Sequence, residues 1–353
     1  MKSLSSAFAI FLLTQISVFA GFWGFDGARL SFEYDVWKGK LSGYDEASYR
    51  EVVHCLMSDF ENATGKSLNP GVQGKVGLKI STNSEKGLAT PKNLVRAVIQ
   101  ELVDRGFERH NVILVDLRED LLRDSGFLPA LSDRSPVAHF EGSPVYVLDS
   151  GEYWDREWFH DDPLPVPLSK TYEKLQSGNV LADDSKENRK SYLPATLIND
   201  VDFFINLPMY TDDPSMGING ALANPTLWSV SNRERFLRSR TNAAPAIAEI
   251  AAIPELISNW AFTIATMERY QFIGGPLFNS LYTRQEPVVY LSSNPVILDA
   301  VVLGKINTAR SDAGFKPFTE TLPVLDYSMQ LGLGSRYTQK IHWRTPCGSS
   351  NED

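Results

Sequence analysis

Asn199-Asp-Val-Asp-Phe-Phe-Ile-Asn-Leu-Pro-Met-Tyr-Thr-Asp-Asp213, followed by Gly217-Ile-Asn-Gly-Ala-Leu-Ala-Asn224, decides how this chain is read. Val201 to Leu207 is short, bulky and apolar, with a polar residue at each end, the pattern of a buried strand. Pro208 has no N–H to give to a ladder, so the strand is predicted to stop there. The residues beyond it read as a polar, glycine-containing loop. In open α/β sheets, ligands sit at the C-terminal ends of strands. This stretch is therefore expected to join the core to a site.

Working outward, Lys75 to Asp116 is the clearest supersecondary unit. Lys75–Ile80 reads as a strand. Thr90 is placed to cap a helix, with Pro91 at its first position. Leu94, Val95, Val98, Ile99, Leu102 and Val103 make its apolar stripe, and Gly106 stops it. Asn111–Asp116 reads as the next strand. Strand, helix, strand implies a right-handed crossover and a parallel pair. Lys79, Asp116 and Asn206 would then all end on one rim of the sheet.

Upstream, Ala28 to Tyr34 reads as a strand and Asp45 to Thr64 as a helix burying Val52, Val53, Leu56, Met57 and Phe60. Downstream, Val145–Leu148, Ala261–Thr266 and Val288–Leu291 read as strands. Ala243–Ile257 reads as a helix interrupted at Pro254, and Asn294 caps a helix that has Pro295 at its first position. Lys170 to Leu193 is polar and reads as a surface excursion. The fold class predicted is α/β: a mixed, mainly parallel sheet with helices on both faces.

The 353 residues suffice for one large α/β domain or two small ones. Residues 1–20 carry one positive charge, an apolar run and Val18-Phe-Ala20 before Gly21, the pattern of a Sec-type signal peptide; an uncleaved anchor is the alternative. The expected organisation is a signal peptide at 1–20, a single domain at 21–342 and a flexible tail at 343–353. The mature protein is expected to be exported, periplasmic or extracellular, with no stable membrane insertion. The formal net charge of −9 argues against nucleic acid as a partner. Cys55 and Cys347 either form a disulfide or are two unrelated thiols. Two cysteines cannot hold a four-cysteine zinc site or an iron–sulfur cluster, so no such cluster is expected. Any other cofactor is left open.

Six phrases in order resemble the DUF362 family, a group of unknown function. They are Lys75-Val-Gly-Leu-Lys-Ile80, Thr90-Pro-Lys-Asn-Leu-Val95, Asp202–Pro208, Gly220-Ala-Leu-Ala-Asn224, Ser292–Ala300 and Gly332-Leu-Gly334. The resemblance covers roughly residues 70 to 335. The chain departs from the family pattern at its Lys-Pro-Asn phrase, where Lys79 is followed by Ile80 and Ser81. It departs again after the central strand, where Thr211-Asp-Asp213 replaces a Lys-Thr-His phrase. The family's Lys-Asn is here Ala223-Asn224.

The residues and the resemblance together suggest a polar pocket at the strand ends. Lys79 and Asp116 are its candidate catalytic pair, and Asn83, Asn206, Asp212, Asn224 and Asp299 its candidate ligand contacts. Each has a plainer role open to it. Lys79 can lay its stem along the sheet with the amine in solvent. Asp116 can cap a loop. Asp212 and Asp213 suit a hard cation or an Asx turn before Pro214, and no metal site is assigned to them. Asp299 sits where a helix dipole favours a carboxylate. No Gly-x-Ser-x-Gly, Walker A, zinc-protease or dinucleotide phrase occurs. The function expected is that of an enzyme-like protein of unknown reaction acting on an unidentified small molecule. The alternative is a non-catalytic envelope protein binding a carbohydrate or other ligand through the aromatic segment around Trp154, Trp158 and His160.

Overall fold

The structure is a computed structural model that describes residues 32–129, 138–161, 189–237, 240–318 and 322–345. The expected signal peptide, the start of the first expected strand, most of the polar excursion from Lys170 and Cys347 lie outside these residues. Cys55 is disulfide-bonded.

The chain folds as predicted into an α/β architecture around a nine-stranded mixed sheet. In chain order its strands are β1 (Asp35–Lys40), β2 (Val76–Lys79), β3 (Val112–Asp116), β4 (His139–Phe140) and β5 (Ser143–Val147), with β6 (Trp154–Asp161) and β7 (Lys190–Pro194) forming a separate antiparallel pair. There follow β8 (Phe203–Asn206), β9 (Tyr210–Asp213), β10 (Gly217–Asn219), β11 (Trp260–Thr266), β12 (Tyr270–Gln271), β13 (Thr283–Arg284), β14 (Val288–Ser292) and β15 (His342–Arg344). The spatial order of the main sheet is β15-β1-β14-β11-β8-β2-β3-β5-β4. Strands β11, β8, β2, β3 and β5 are mutually parallel at its centre, and β14 and β4 run against them.

Side chains alternate across the sheet because successive residues of a strand face opposite ways. Phe203 and Ile205 of β8 pack with Leu78, Val112 and Leu114 under helices α1 (Glu46–Thr64) and α2 (Lys92–Asp104). Phe204 faces the other layer with Ile113, Val115 and Trp260. That layer is covered by α5 (Arg240–Ala251), α7 (Pro295–Asp312) and α8 (Pro323–Gln330), which follow the short helices α3 (Glu119–Asp124) and α4 (Ala195–Ile198) and precede or flank α6 (Pro254–Asn259). Each fully buried Leu, Ile, Val or Phe in these layers contributes about 1.5–3 kcal/mol of transfer free energy.

Several boundaries differ from expectation. The first described strand begins at Asp35, beyond the Ala28–Tyr34 window. Thr90 does not cap α2: Pro91 is the N-cap, and the Thr90 hydroxyl instead donates to the Leu207 carbonyl at 2.8 Å and accepts from the Ser81 N–H at 2.8 Å. The residues after Pro208 are not a loop but the hairpin β9–β10, part of a second sheet ordered β10-β9-β12-β13. The end of the polar excursion forms β7 against β6. Residues 342–344, at the start of the expected tail, form β15 in parallel with β1, and Arg344 pairs with Asp35. Asn294 does cap α7, accepting from the Val296 N–H at 2.9 Å and the Ile297 N–H at 3.1 Å.

Candidate functional site

The parallel register brings Lys79 opposite Asn206 and Asn206 opposite Thr263, so three polar residues lie side by side, at the ends of β2 and β8 and in the middle of β11. Lys79 is 0% exposed. Its ammonium donates to Asp116 Oδ1 at 2.7 Å, to the Ile80 carbonyl at 2.7 Å and to Asn224 Oδ1 at 3.0 Å. Those three bonds use all three of its protons. Burial nonetheless pulls the Lys79 pKa down, offset in part by the Asp116 carboxylate.

Asp116 is equally saturated. Its Oδ1 also accepts from the Leu117 N–H at 2.8 Å, while Oδ2 accepts from the Thr82 N–H at 2.8 Å and the Thr82 hydroxyl at 2.7 Å. Asn224 Nδ2 donates to Asn206 Oδ1 at 2.8 Å and to the Lys79 carbonyl at 3.2 Å. Asn206 Nδ2 donates to the Ala221 carbonyl at 2.8 Å and to Thr263 Oγ1 at 3.2 Å. The structure thus brings Lys79, Asp116, Asn206 and Asn224 together as a buried, mutually bonded network. It offers no free donor on the lysine and no unoccupied carboxylate oxygen to a substrate. Within the fold the pair clamps the ends of neighbouring strands together.

Two further candidates lie outside this network. Asp299, from the first turns of α7, accepts from the backbone N–H groups of Ala221 at 2.6 Å and Leu222 at 3.0 Å. Burial raises its pKa to about 7, against the lowering effect of those two bonds. The Tyr210 hydroxyl stands beside the same carboxylate, outside good hydrogen-bond geometry. Gly220 is needed for this close approach, since a Cβ there would lie 2.4 Å from the Tyr210 ring and 2.5 Å from Asp299 Oδ1. Asp212 holds a turn, accepting from the Gly275 N–H at 2.9 Å with Arg310 at 3.4 Å. Asp213 makes the Asx turn, accepting from the N–H groups of Ser215 at 2.7 Å and Met216 at 2.9 Å. Asp212 and Asp299 thus each bond to backbone N–H groups away from the Lys79–Asn206 network. Among the described residues no three His, Cys, Asp or Glu side chains come together to hold a metal ion, and no helix is long and apolar enough to cross a membrane.

Asn83 is different. It is 5% exposed, yet neither its amide nitrogen nor its amide oxygen has a hydrogen-bond partner among the described residues. It lines a cleft of about 490 Å³ together with Glu85, Lys86, Arg118, Asp120 and Leu277. The clamp sets both walls of this cleft. Asp116 holds Thr82, next to Asn83, and Leu117, next to Arg118. The loop then turns through Glu85 at φ 66° and ψ 176°, a conformation almost confined to glycine and costing about 1–3 kcal/mol. Sequence reasoning named Asn83 but missed Arg118, whose position just beyond the end of β3 was the available signal. Compared with protein-family models, with curated proteins and with solved structures, the chain matches none.

Proposed function

We propose that this chain is an exported protein, diverged from the DUF362 family, that binds a small polar molecule in the Asn83–Arg118 cleft at the C-terminal rim of the sheet. The order of the six sequence phrases supports the family reading, and the pattern of residues 1–20 supports export. One observation carries the binding reading. An amide buried without partners costs about 1–3 kcal/mol, a loss that a ligand presenting one donor and one acceptor would recover. The strained backbone at Glu85 on the same wall supports it. Arg118 adds an anion-compatible group, although its Nε and Nη2 already serve Asp120.

The test is Asn83→Leu, which replaces the amide by an apolar group of similar volume. A thermal-shift panel of neutral sugars, uronates, amino acids and phosphates is run on the full chain and the variant. The variant should be at least as stable as the parent without ligand, and should lose one of the parent's stabilising hits. A variant destabilised by more than about 1 kcal/mol, with the parent's hits intact, would make Asn83 structural and remove the proposal.

A further inference from the structure

Arg118 also lines a second cleft, of about 430 Å³, together with Asp149, Trp154, Asn232, Arg233 and Glu234. Arg233 is the unusual member. Its side chain is only 13% exposed, and its guanidinium carbon stacks 4.8 Å from the centre of the Trp228 ring. Its Nε has no hydrogen-bond partner among the described residues, and it forms an ion pair with Glu234 Oε1 at 3.4 Å. Burial pulls its pKa down, and the Arg118 charge pulls in the same direction. Arg118 itself turns Nε and Nη2 toward Asp120, which leaves Nη1 for another acceptor. Two guanidinium groups thus share one cleft, each ion-paired to one carboxylate and, among the described residues, each with N–H groups beyond those bonds.

The rest of the lining narrows what would answer them. Asp149 and Glu234 place carboxylates in the same cleft, so a compact anion such as phosphate would meet repulsion beside the attraction. A ligand whose anionic group is separated from its hydroxyls meets both signs favourably. Its carboxylate suits the planar forks of arginine, and its hydroxyls can donate to Asp149 and Glu234. Trp154 is half-buried and supplies an aromatic face with a polar edge. We infer that this cleft is a second binding site, for a carboxylated pyranose of the hexuronate class, with its carboxylate between Arg118 and Arg233 and its ring on Trp154.

The experiment is calorimetric titration of the full chain with glucuronate, glucose and inorganic phosphate. Glucuronate is expected to bind at one site, and glucose and phosphate at least about tenfold more weakly. Arg233→Lys keeps the charge but loses the fork, and should weaken glucuronate about tenfold. Trp154→Ala should weaken it by a similar factor. Arg233 and Trp154 line this cleft and not the Asn83 cleft, so loss of glucuronate binding in their variants assigns the ligand here. Circular dichroism checks that each variant is folded, and Trp154→Leu, which keeps an apolar side chain without an aromatic face, replaces Trp154→Ala if the latter is not. The inference is overturned if glucuronate does not bind or binds no better than phosphate. It is equally overturned if the folded Arg233 and Trp154 variants both bind glucuronate as the parent does.

Discussion

Asp299 is a carboxylate held where water does not reach, and its two backbone bonds do not fully offset the cost of burying its charge. Because its pKa rises from 3.8 to about 7 on folding, the native state binds its proton more tightly than the unfolded state does. Its contribution to stability is therefore greatest below about pH 4 and is lost as pH rises through about 7. The full span is on the order of 4 kcal/mol. Asp299→Asn removes the titration. In urea unfolding at pH 4, 5.5 and 7, the stability of the parent relative to the variant should fall steadily with rising pH. A difference that stays flat would mean that Asp299 is ionised throughout. A carboxylate near the start of α7 was legible from the spacing after Asn294 and Pro295. Its partners were not, because Ala221 and Leu222 are nearly eighty residues away and give the sequence no local mark.

Elements with a local signal were read well. The apolar stripe of α2, the short bulky apolar run of β8 and the Asn-Pro start of α7 all carry their causes within a few residues. The β9–β10 hairpin carried no such signal. Its flanking prolines and paired aspartates look like a loop, and its strand character depends on β12, whose Tyr270 pairs with Tyr210 across sixty residues. Thr90 shows the same limit: a good capping residue was drawn off by the Leu207 carbonyl, just beyond the end of β8. Asn294 shows how much a cap can do when long-range bonds reinforce it. Beyond its two cap bonds, its Nδ2 donates to the Glu33 carbonyl at 2.7 Å and the Ser335 carbonyl at 2.9 Å. Asn294→Ala should therefore cost more than an ordinary cap, about 2–4 kcal/mol in chemical unfolding. Asn294→Asp keeps the acceptor and loses both donors, and should fall between parent and alanine. If alanine and aspartate cost the same, the cap itself contributes little.

Across the whole molecule, the rim inferred from sequence exists, and Lys79 and Asn206 are neighbours on it. Its polar ends turned inward because they complement one another. A lysine, a carboxylate and two amides can satisfy each other completely, and sequence alone does not show whether such a set closes on itself or on a ligand. The closure ties β2, β3 and β8 to the segment after β10, and through Asp116 it orients the loops that carry Asn83 and Arg118. Lys79→Met would leave the Asp116 carboxylate buried without its countercharge, at a cost of about 3–5 kcal/mol. Asp116→Asn should also be costly, since it sets an amide against the N–H donors of Thr82 and Leu117. The double variant should cost less than the sum of the two, with a coupling of more than about 1 kcal/mol, because the second change removes what the first left unpaired. The Asn83 cleft should loosen in all three, so ligand binding should weaken along with the unfolding midpoint. A Lys79→Met protein that kept its midpoint but lost ligand binding or turnover would put the amine in contact with solvent and substrate, and would return this pair from clamp to catalyst.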